Sequence, residues 1–335
     1  MHQPSVAVVI LNWNGWHDTI ACLDSVSDLL TPNTSIFVID NASSDDSVSR
    51  IRAWALDNLP SANERRAANG LTPFQFRDFT GPAPDPDLPG GPGYVTLIQA
   101  GRNAGYAAGN NVGLRLALEE GFDFFWILNN DTEVEPDAVD WLIRRMNEDP
   151  QIGICGSTLI YHGRRDLVQS LSGSGFSDFK GRGIALGMGQ SSREPIDQQA
   201  VEAELRYVSG AAMFVSRAFL EQVGLMEESY FLYWEEMNWA ARAKGRFRMG
   251  YAAKSVVYHK VGASIGTNDF GDRSPLSDYY MARNRLRFCA RYSPVSLPFA
   301  LFDIARSAAR WTLRGKPERA VLLGRAIVGL PYVKP

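Results

Sequence analysis

Short apolar runs that end in Asn or Asp recur along this chain, and each is followed by a stretch whose apolar residues have helical spacing. Val6 to Leu11 leads into a helix expected from about Trp16 to Leu29. Ser35 to Asp40 leads into another beyond Asp45 and Asp46, and Tyr94 to Gln99 into a helix from about Ala107 to Glu120. Repeats of this unit leave few architectures: the strands lie parallel in one sheet, and right-handed crossovers place the helices over its faces. The run expected as a strand at Phe122 to Leu128 is the most telling, because it stops abruptly at Asn129-Asn130-Asp131. Ligands of open α/β sheets collect beyond the carboxyl ends of such buried strands. Asp131 therefore stands where a carboxylate can hold a cation, or where it forms an Asx turn ahead of the helix that Pro136 opens.

The 335 residues are 45% hydrophobic and 21% charged, enough to bury a large core as one domain with a tail or as two domains. A formal net charge of -3 leaves an anion site open, since the sign that matters is local. No nucleic-acid partner is expected. Cys22, Cys155 and Cys289 lie far apart, with neither metal-ligand spacing nor a disulfide framework. The first strand follows directly on the start without a cleavable signal pattern, and no apolar stretch approaches the ~20 residues needed to cross a bilayer. The expectation is a cytoplasmic protein.

Two segments break the rhythm. Residues 60–93, rich in Pro, Gly, Asp and Ala, are expected to be an exposed insertion, and residues 163–199, rich in Gly, Ser and Arg, a loop or lid. Between them a helix is expected from Pro136 to about Asp149, and a strand at Ile152 to Tyr161. Strand character returns at Tyr207 to Val215, interrupted by Gly210-Ala211-Ala212. Beyond Tyr279 the chain turns basic, with Arg283, Arg285, Arg287, Arg291, Arg306, Arg310, Arg314, Lys316, Arg319, Arg325 and Lys334 against Asp303 and Glu318. Leu297 to Trp311 and Ala320 to Leu330 mix these cations with Phe, Leu, Ile and Trp. Interfacial amphipathic helices have that composition; so do helices that pack on a catalytic domain or form an oligomer contact.

The polar clusters at strand ends supply the candidate site. Asn12-Trp13-Asn14-Gly15 follows the first strand and Asp40-Asn41-Ala42-Ser43-Ser44-Asp45 the second, where Asp40 suits an acceptor for a base edge or ribose hydroxyl, or a turn former. Gly101 to Asn111 holds closely spaced glycines with Arg102, Asn103 and Asn110, which lets backbone approach a ligand while Arg102 faces a phosphate. It is not a P-loop, lacking Gly-Lys-Ser/Thr, and dinucleotide-binding spacing is absent too. Tyr230 to Arg242 is an aromatic stretch whose Glu235 and Glu236 open a helix. The helix dipole favours ionised carboxylates there, and such a group is either a general base or part of a solvated first turn. His259, after Ser255-Val256-Val257-Tyr258, is either a ligand or a structural residue.

In their order and spacing these pieces together resemble glycosyltransferase family 2, the inverting nucleotide-sugar transferases, and particularly its bacterial rhamnosyltransferase-like branch. The likeness spans roughly Ser5 to Arg291. Val8 to Asn14 looks like the family's opening strand, and Val38 to Asp45 like its nucleotide-binding second strand. Asn103, Gly105, Gly109 and Asn110 look like its donor loop, Asn129-Asn130-Asp131 like its metal motif, and Tyr233 to Arg242 like the acidic motif that supplies the base. Three positions depart from the pattern: Asn129 replaces an acid, Asn238 stands where an acid is usual, and Glu236 is one methylene longer than the consensus Asp.

The resemblance implies an α/β GT-A nucleotide-diphospho-sugar transferase fold, with a mostly parallel central sheet flanked by helices and a C-terminal helical extension. Residues 1–274 would form the catalytic domain, with 60–93 as an insertion and 163–199 as an acceptor-side loop, and 275–335 the basic helical region. It implies a dTDP- or UDP-sugar donor held by Asn12, Asn14, Asp40, Arg102, Asn103, Gly105, Asn110, Asn129 and Asn130. Mn2+ or Mg2+ would sit on Asp131 with His259, and Glu236 would be the catalytic base, with Glu235 as its alternative. A glycan or lipid-diphosphate-linked acceptor, peripheral contact with the inner face of a membrane through the basic tail, and a homodimer fit the same expectation. Two other readings stay open: a nucleotidyltransferase, and a degenerate relative that binds a glycan or a protein partner without turnover.

Overall fold

Side chains of a strand alternate between the two faces of its sheet, and in this chain both sets are apolar, so helices must cover both faces. The computed structural model describes residues 3–80, 90–260 and 273–334. The first half runs β1 (Val6–Asn12), α1 (Trp16–Ser27), β2 (Thr34–Asp40), α2 (Ser47–Asp57), α3 (Leu59–Ala68), β3 (Gln75–Thr80), β4 (Tyr94–Gln99), α4 (Tyr106–Glu119), β5 (Phe124–Asn129), β6 (Thr132–Val134) and α5 (Ala138–Glu148). The middle continues with β7 (Ile152–Tyr161), β8 (Arg164–Leu171), β9 (Gly173–Ser177), β10 (Arg182–Ala185), α6 (Gln198–Glu204), β11 (Tyr207–Val208), β12 (Ala212–Ser216) and α7 (Arg217–Val223). The last part holds α8 (Glu235–Ala243), β13 (Arg248–His259), α9 (Pro275–Tyr292), α10 (Leu297–Leu313) and α11 (Pro317–Ile327).

The main sheet has the order β3-β4-β2-β1-β5-β12-β7-β13-β6, with β8 paired to β7. Strands β3, β4, β2, β1 and β5 are mutually parallel. β12 is antiparallel to both β5 and β7, so β7 runs with β5, and β13 pairs parallel with β7. The carboxyl ends of β1, β2, β4, β5 and β13 consequently share one edge. The chain builds outward from β1 through β2 to β4 and then returns to place β5 on the other side, which makes the β1/β5 junction the topological switch point where ligands collect. Val6, Val8, Ile10, Ile36, Val38, Trp126 and Leu128 pack into one core with α1, α2 and α5. Their neighbours Ala7, Val9, Phe37, Ile39, Phe125 and Ile127 pack into another with α4, α7 and α8.

Two expectations from the sequence require correction. Residues 60–93 were expected to be an exposed insertion, yet they contribute most of α3 and all of β3, which extends the sheet beside β4; residues 81–89 lie outside the described part. Charged side chains hide the period. Arg66 is buried and donates to the Leu29 carbonyl, and Arg77 in β3 forms a buried pair with Glu120 at 2.6 Å. Residues 163–199 are likewise not a loop, since they hold β8, β9 and β10, and β10-β9-β11 form a second small sheet. Gly173 and Gly183, within the strands, mark close approach: a Cβ on Gly173 would lie 2.1 Å from the Tyr207 carbonyl, and one on Gly183 would lie 2.0 Å from the Tyr207 hydroxyl.

The C-terminal helices pack on one another around Tyr279, Leu286, Ala300, Ile304, Trp311 and Leu323. Among the described residues no helix is long and apolar enough to cross a membrane. The three cysteines are buried free thiols.

Candidate active site

The shared carboxyl edge opens into a cleft of about 1560 Å³ lined by Trp13, Asn41, Asn103, Gly105, Asn129, Asn130, Asp131, Glu236 and His259, among others. Each arrives there for a local reason. Asn129 closes β5, and Thr132 donates to its carbonyl at 2.6 Å, so the Asn-Asn-Asp turn is pinned at the strand end. His259 closes β13 and pairs in register with Thr132, which brings the imidazole alongside Asp131. Gly105, at φ +93, lets the loop after β4 press against the Phe231 carbonyl, where a Cβ would lie at 2.3 Å. Tyr106 donates its backbone N–H to that same carbonyl at 2.7 Å, which ties the loop after β4 to the aromatic stretch ahead of α8.

The carboxylates converge. Asp131 is buried, with its Oδ1 3.2 Å from His259 Nε2. Gln169 Oε1 lies 2.9 Å from His259 Nδ1 and accepts its proton, which turns Nε2 towards the carboxylate. A carboxylate oxygen and a ring nitrogen at that separation can both reach one cation. Among the described residues the buried Nε2 has no hydrogen-bond partner. Cis ligands of an octahedral ion with bonds of about 2.1 Å lie roughly 3 Å apart, so the pair fits a divalent cation of the magnesium or manganese kind. Among the described residues no group of three or more His, Cys, Asp or Glu side chains is clustered to hold a metal. Such a cation would therefore have Asp131 and His259 as its protein ligands, with further oxygens to come from a bound diphosphate.

Glu235 and Glu236 occupy the first turn of α8, but the helix terminus does not keep them acidic, contrary to expectation. Burial pushes the Glu236 carboxyl up to about 7, against the pull of the backbone N–H groups of Glu236 and Trp234. Burial, and then the charge of Glu236, push Glu235 well above the carboxylate range. Glu236 faces the cleft, whereas Glu235 is buried behind it. The Tyr106 hydroxyl donates to the Gly210 carbonyl at 2.6 Å, and its own acidity is suppressed by burial and by Glu235, Glu236 and Asp131 in turn. One tyrosine thus feels all three carboxylates.

The backbone ahead of α8 is strained, with Phe231, Tyr233 and Trp234 at φ +65, +66 and +76. One side chain bonds three of its carbonyls. The buried Asn284 of α9 donates its amide to the carbonyls of Tyr230, Leu232 and Tyr233 at 2.7, 2.9 and 3.0 Å.

Several expected donor residues lie beneath the cleft rather than on its wall. Asp40 is buried and accepts from Asn12 at 2.8 Å, from the Ser43 N–H at 3.0 Å and from the Ser43 hydroxyl at 2.6 Å, so it braces the loop after β2. Asn12 also accepts from Thr19 at 2.8 Å, and Asn14 accepts from the Ser44 N–H at 2.8 Å. Arg102 is exposed outside the lining, and the buried Asn110 donates to the Tyr106 carbonyl. Asn238 reaches the Tyr230 and Tyr292 hydroxyls at 3.4 and 3.1 Å. Sequence reasoning had not singled out Asn41, Tyr106, Gln169 or Asn284. The position of Asn41, one residue beyond a strand-end acid, was the available signal for the first; nothing local marks Gln169 or Asn284.

The family model of Glycosyl transferase family 2 matches residues 88–224, which include β4, β5 and the Asn-Asn-Asp turn. A Haloferax volcanii protein, the low-salt glycan biosynthesis hexosyltransferase Agl10, is 27% identical over 153 residues, covering 45% of this chain and 46% of that relative. The match therefore spans less than half of the relative. Among solved structures, the mannosyltransferase PcManGT of Pyrobaculum calidifontis, in complex with GDP-Man and Mn2+, aligns over 98% of this chain and 87% of its own with a TM-score of 0.55 at 15% identity. The S. aureus TarS 1-349 complex with UDP-GlcNAc aligns over 98% and 93% with a TM-score of 0.49 at 11% identity. The mannosyltransferase shares the GT-A architecture, a mostly parallel sheet flanked by helices, that the sequence led us to expect.

Proposed function

We propose that this chain, whose residues 88–224 match the model of Glycosyl transferase family 2, is an inverting glycosyltransferase, moving the sugar of a dTDP- or UDP-linked donor to a hydroxyl of a glycan or lipid-linked acceptor. A rhamnosyl-type donor is part of this reading. The observation that carries it is the convergence of Asp131 and Glu236 on one cleft at the switch point of the sheet. Inversion asks for a stabilised diphosphate leaving group on one side of the anomeric carbon and a proton acceptor on the other. A divalent cation held by Asp131 and His259 would supply Lewis-acid stabilisation of the diphosphate when bound. Asn41, Asn103 and Gly105 offer an amide-rich wall for the nucleotide, and Glu236 takes the proton from the acceptor hydroxyl. The manganese complex of the mannosyltransferase supports the choice of ion.

Titration of the wild-type protein with UDP- and dTDP-sugars tests the proposal. Manganese is expected to tighten donor binding, and Asp131→Ala to abolish that dependence on metal. Equal donor affinity of the wild type with and without manganese would remove the cation from the reading.

The neutral Glu235 has a consequence for stability. Its folded pKa is raised above the ordinary 4.5, so its proton stabilises the fold fully below about pH 4.5, and that contribution is lost as pH rises through the folded value. Glu235→Gln is therefore expected to melt above the wild type at pH 8 by on the order of 1 kcal/mol, and the gap should close towards pH 4. Melting curves across that range check it; a gap independent of pH would mean that Glu235 is not the titrating group.

A further inference from the structure

We infer that the part of the cleft walled by Arg182, Arg273 and Arg310 is a subsite for a phosphate-bearing amphiphile, whose phosphate is gripped by these arginines while its apolar chain leaves along α10. This deepens the proposed function and rests on it for the claim that the amphiphile is the acceptor.

The three arginines lie on β10, just before α9, and on α10, and all line the cleft that also holds Asp131 and Glu236. Among the described residues none of the three has a carboxylate partner. Their neighbours do: Arg285 and Arg306 lie 3.0 and 3.7 Å from Asp303, and Arg319 lies 3.1 Å from Asp278. The elements that carry the three are tied together. Arg285 donates to the carbonyl of Gly181, beside Arg182, at 3.0 Å; Ser296, just before α10, donates to the Asp178 carbonyl; and Arg319 donates to the carbonyl of Arg273. Like charges held around one cavity repel, and an anion relieves that repulsion; guanidinium forks match phosphate oxygens in particular.

The lining also holds apolar side chains of α9, α10 and α11, namely Leu276, Ile304, Trp311 and Leu323. Along α10, Phe299, Phe302, Arg306, Arg310 and Leu313 recur at intervals of three and four and so share one face, which includes the lining residues Arg306 and Arg310. Phe302 is 68% and Leu313 88% exposed. Phe179, from the turn between β9 and β10, adds its ring 4.0 Å from that of Phe299. Exposed aromatic and aliphatic side chains interleaved with arginines suit the interface of an anionic bilayer. A soluble sugar phosphate would use the arginines alone, whereas a lipid phosphate uses both features.

Calorimetry with decyl diphosphate and with inorganic pyrophosphate, both in the presence of a chelator so that no metal-dependent donor site forms, tests the subsite. Decyl diphosphate is expected to bind the wild type, and pyrophosphate at least about tenfold more weakly. The combined Arg182→Gln, Arg273→Gln and Arg310→Gln variant should lose about a hundredfold in affinity for decyl diphosphate. Arg310→Glu alone, checked by its melting curve, should lose at least about tenfold and guards against a triple variant that fails to fold. Equal affinity for decyl diphosphate in wild type and variants would overturn the subsite, and equal affinity for the two probes would overturn the amphiphile in favour of a soluble phosphate. Donor binding with manganese is a separate titration, so a wild type that fails it yet loses decyl diphosphate with the arginines would sink the transferase reading and leave the subsite standing.

Discussion

Glu236→Gln is expected to lower turnover by roughly 10²–10⁴-fold and to leave the affinity for the nucleotide-sugar nearly unchanged. The substitution keeps the shape of the side chain and removes only its capacity to accept a proton. Glu236 lines the cleft from the first turn of α8, on a different element from the Asp131 and His259 pair at the ends of β5 and β13, so the loss falls on acceptor deprotonation rather than on donor binding. The pH profile gives a second check. Burial pushes the Glu236 carboxyl up to about 7, so wild-type turnover should rise as pH climbs through that value and the base ionises, whereas the variant should lack that limb. Steady-state kinetics with donor affinity measured in parallel decide the matter. Near-normal turnover in Glu236→Gln would take the role away from this residue.

The central sheet was legible because its strands are buried on both faces. The limits expected for β4 and β7, Tyr94 to Gln99 and Ile152 to Tyr161, are those observed, and both strands are buried along most of their length. Asp131 and Glu236 were legible for a related reason: one follows a strand and the other starts a helix, and both positions point into the mouth of such a sheet. The orientation of neighbouring polar side chains was not. Asn12, Asn14 and Asp40 have the residue types of a ligand-binding loop, but their hydrogen bonds are spent on one another, on Thr19, and on Ser43 and Ser44, and Asn41 faces the cleft instead. An amide at a strand end satisfies a loop or a ligand with the same chemistry, so composition alone does not separate them. Glycine misled in β9 and β10, where it permits contact with Tyr207 and was read as a sign of loop. The partners of His259 and of the loop before α8, Gln169 and Asn284, lie 90 and about 50 residues away in the chain, beyond any local pattern.

Asn284→Ala is expected to cut turnover by about a hundredfold while changing donor affinity little, although Asn284 lies on α9, outside the cleft lining. Three non-glycine residues with positive φ precede Glu235 and Glu236, and strain of about 1–3 kcal/mol at each persists only where the surroundings hold it. The amide of Asn284 supplies that hold by donating to three carbonyls of the strained turn. Its removal takes a donor from the Leu232 and Tyr233 carbonyls, at about 1–3 kcal/mol for each acceptor left unmet, while the Tyr230 carbonyl keeps the Leu232 N–H, and it frees the turn to relax. A displacement of about 1 Å at a reacting group is enough for a hundredfold loss. Relaxation also admits water to the Glu236 carboxyl, and because burial is what raises its pKa, the rising limb of the pH profile should move below 7. Loss of stability alone would lower the amount of active protein without moving that midpoint. Asn284→Asp, which keeps the shape but cannot donate, should behave like the alanine variant. An unshifted profile in both, with normal turnover per folded molecule, would show that the turn keeps its shape without this amide.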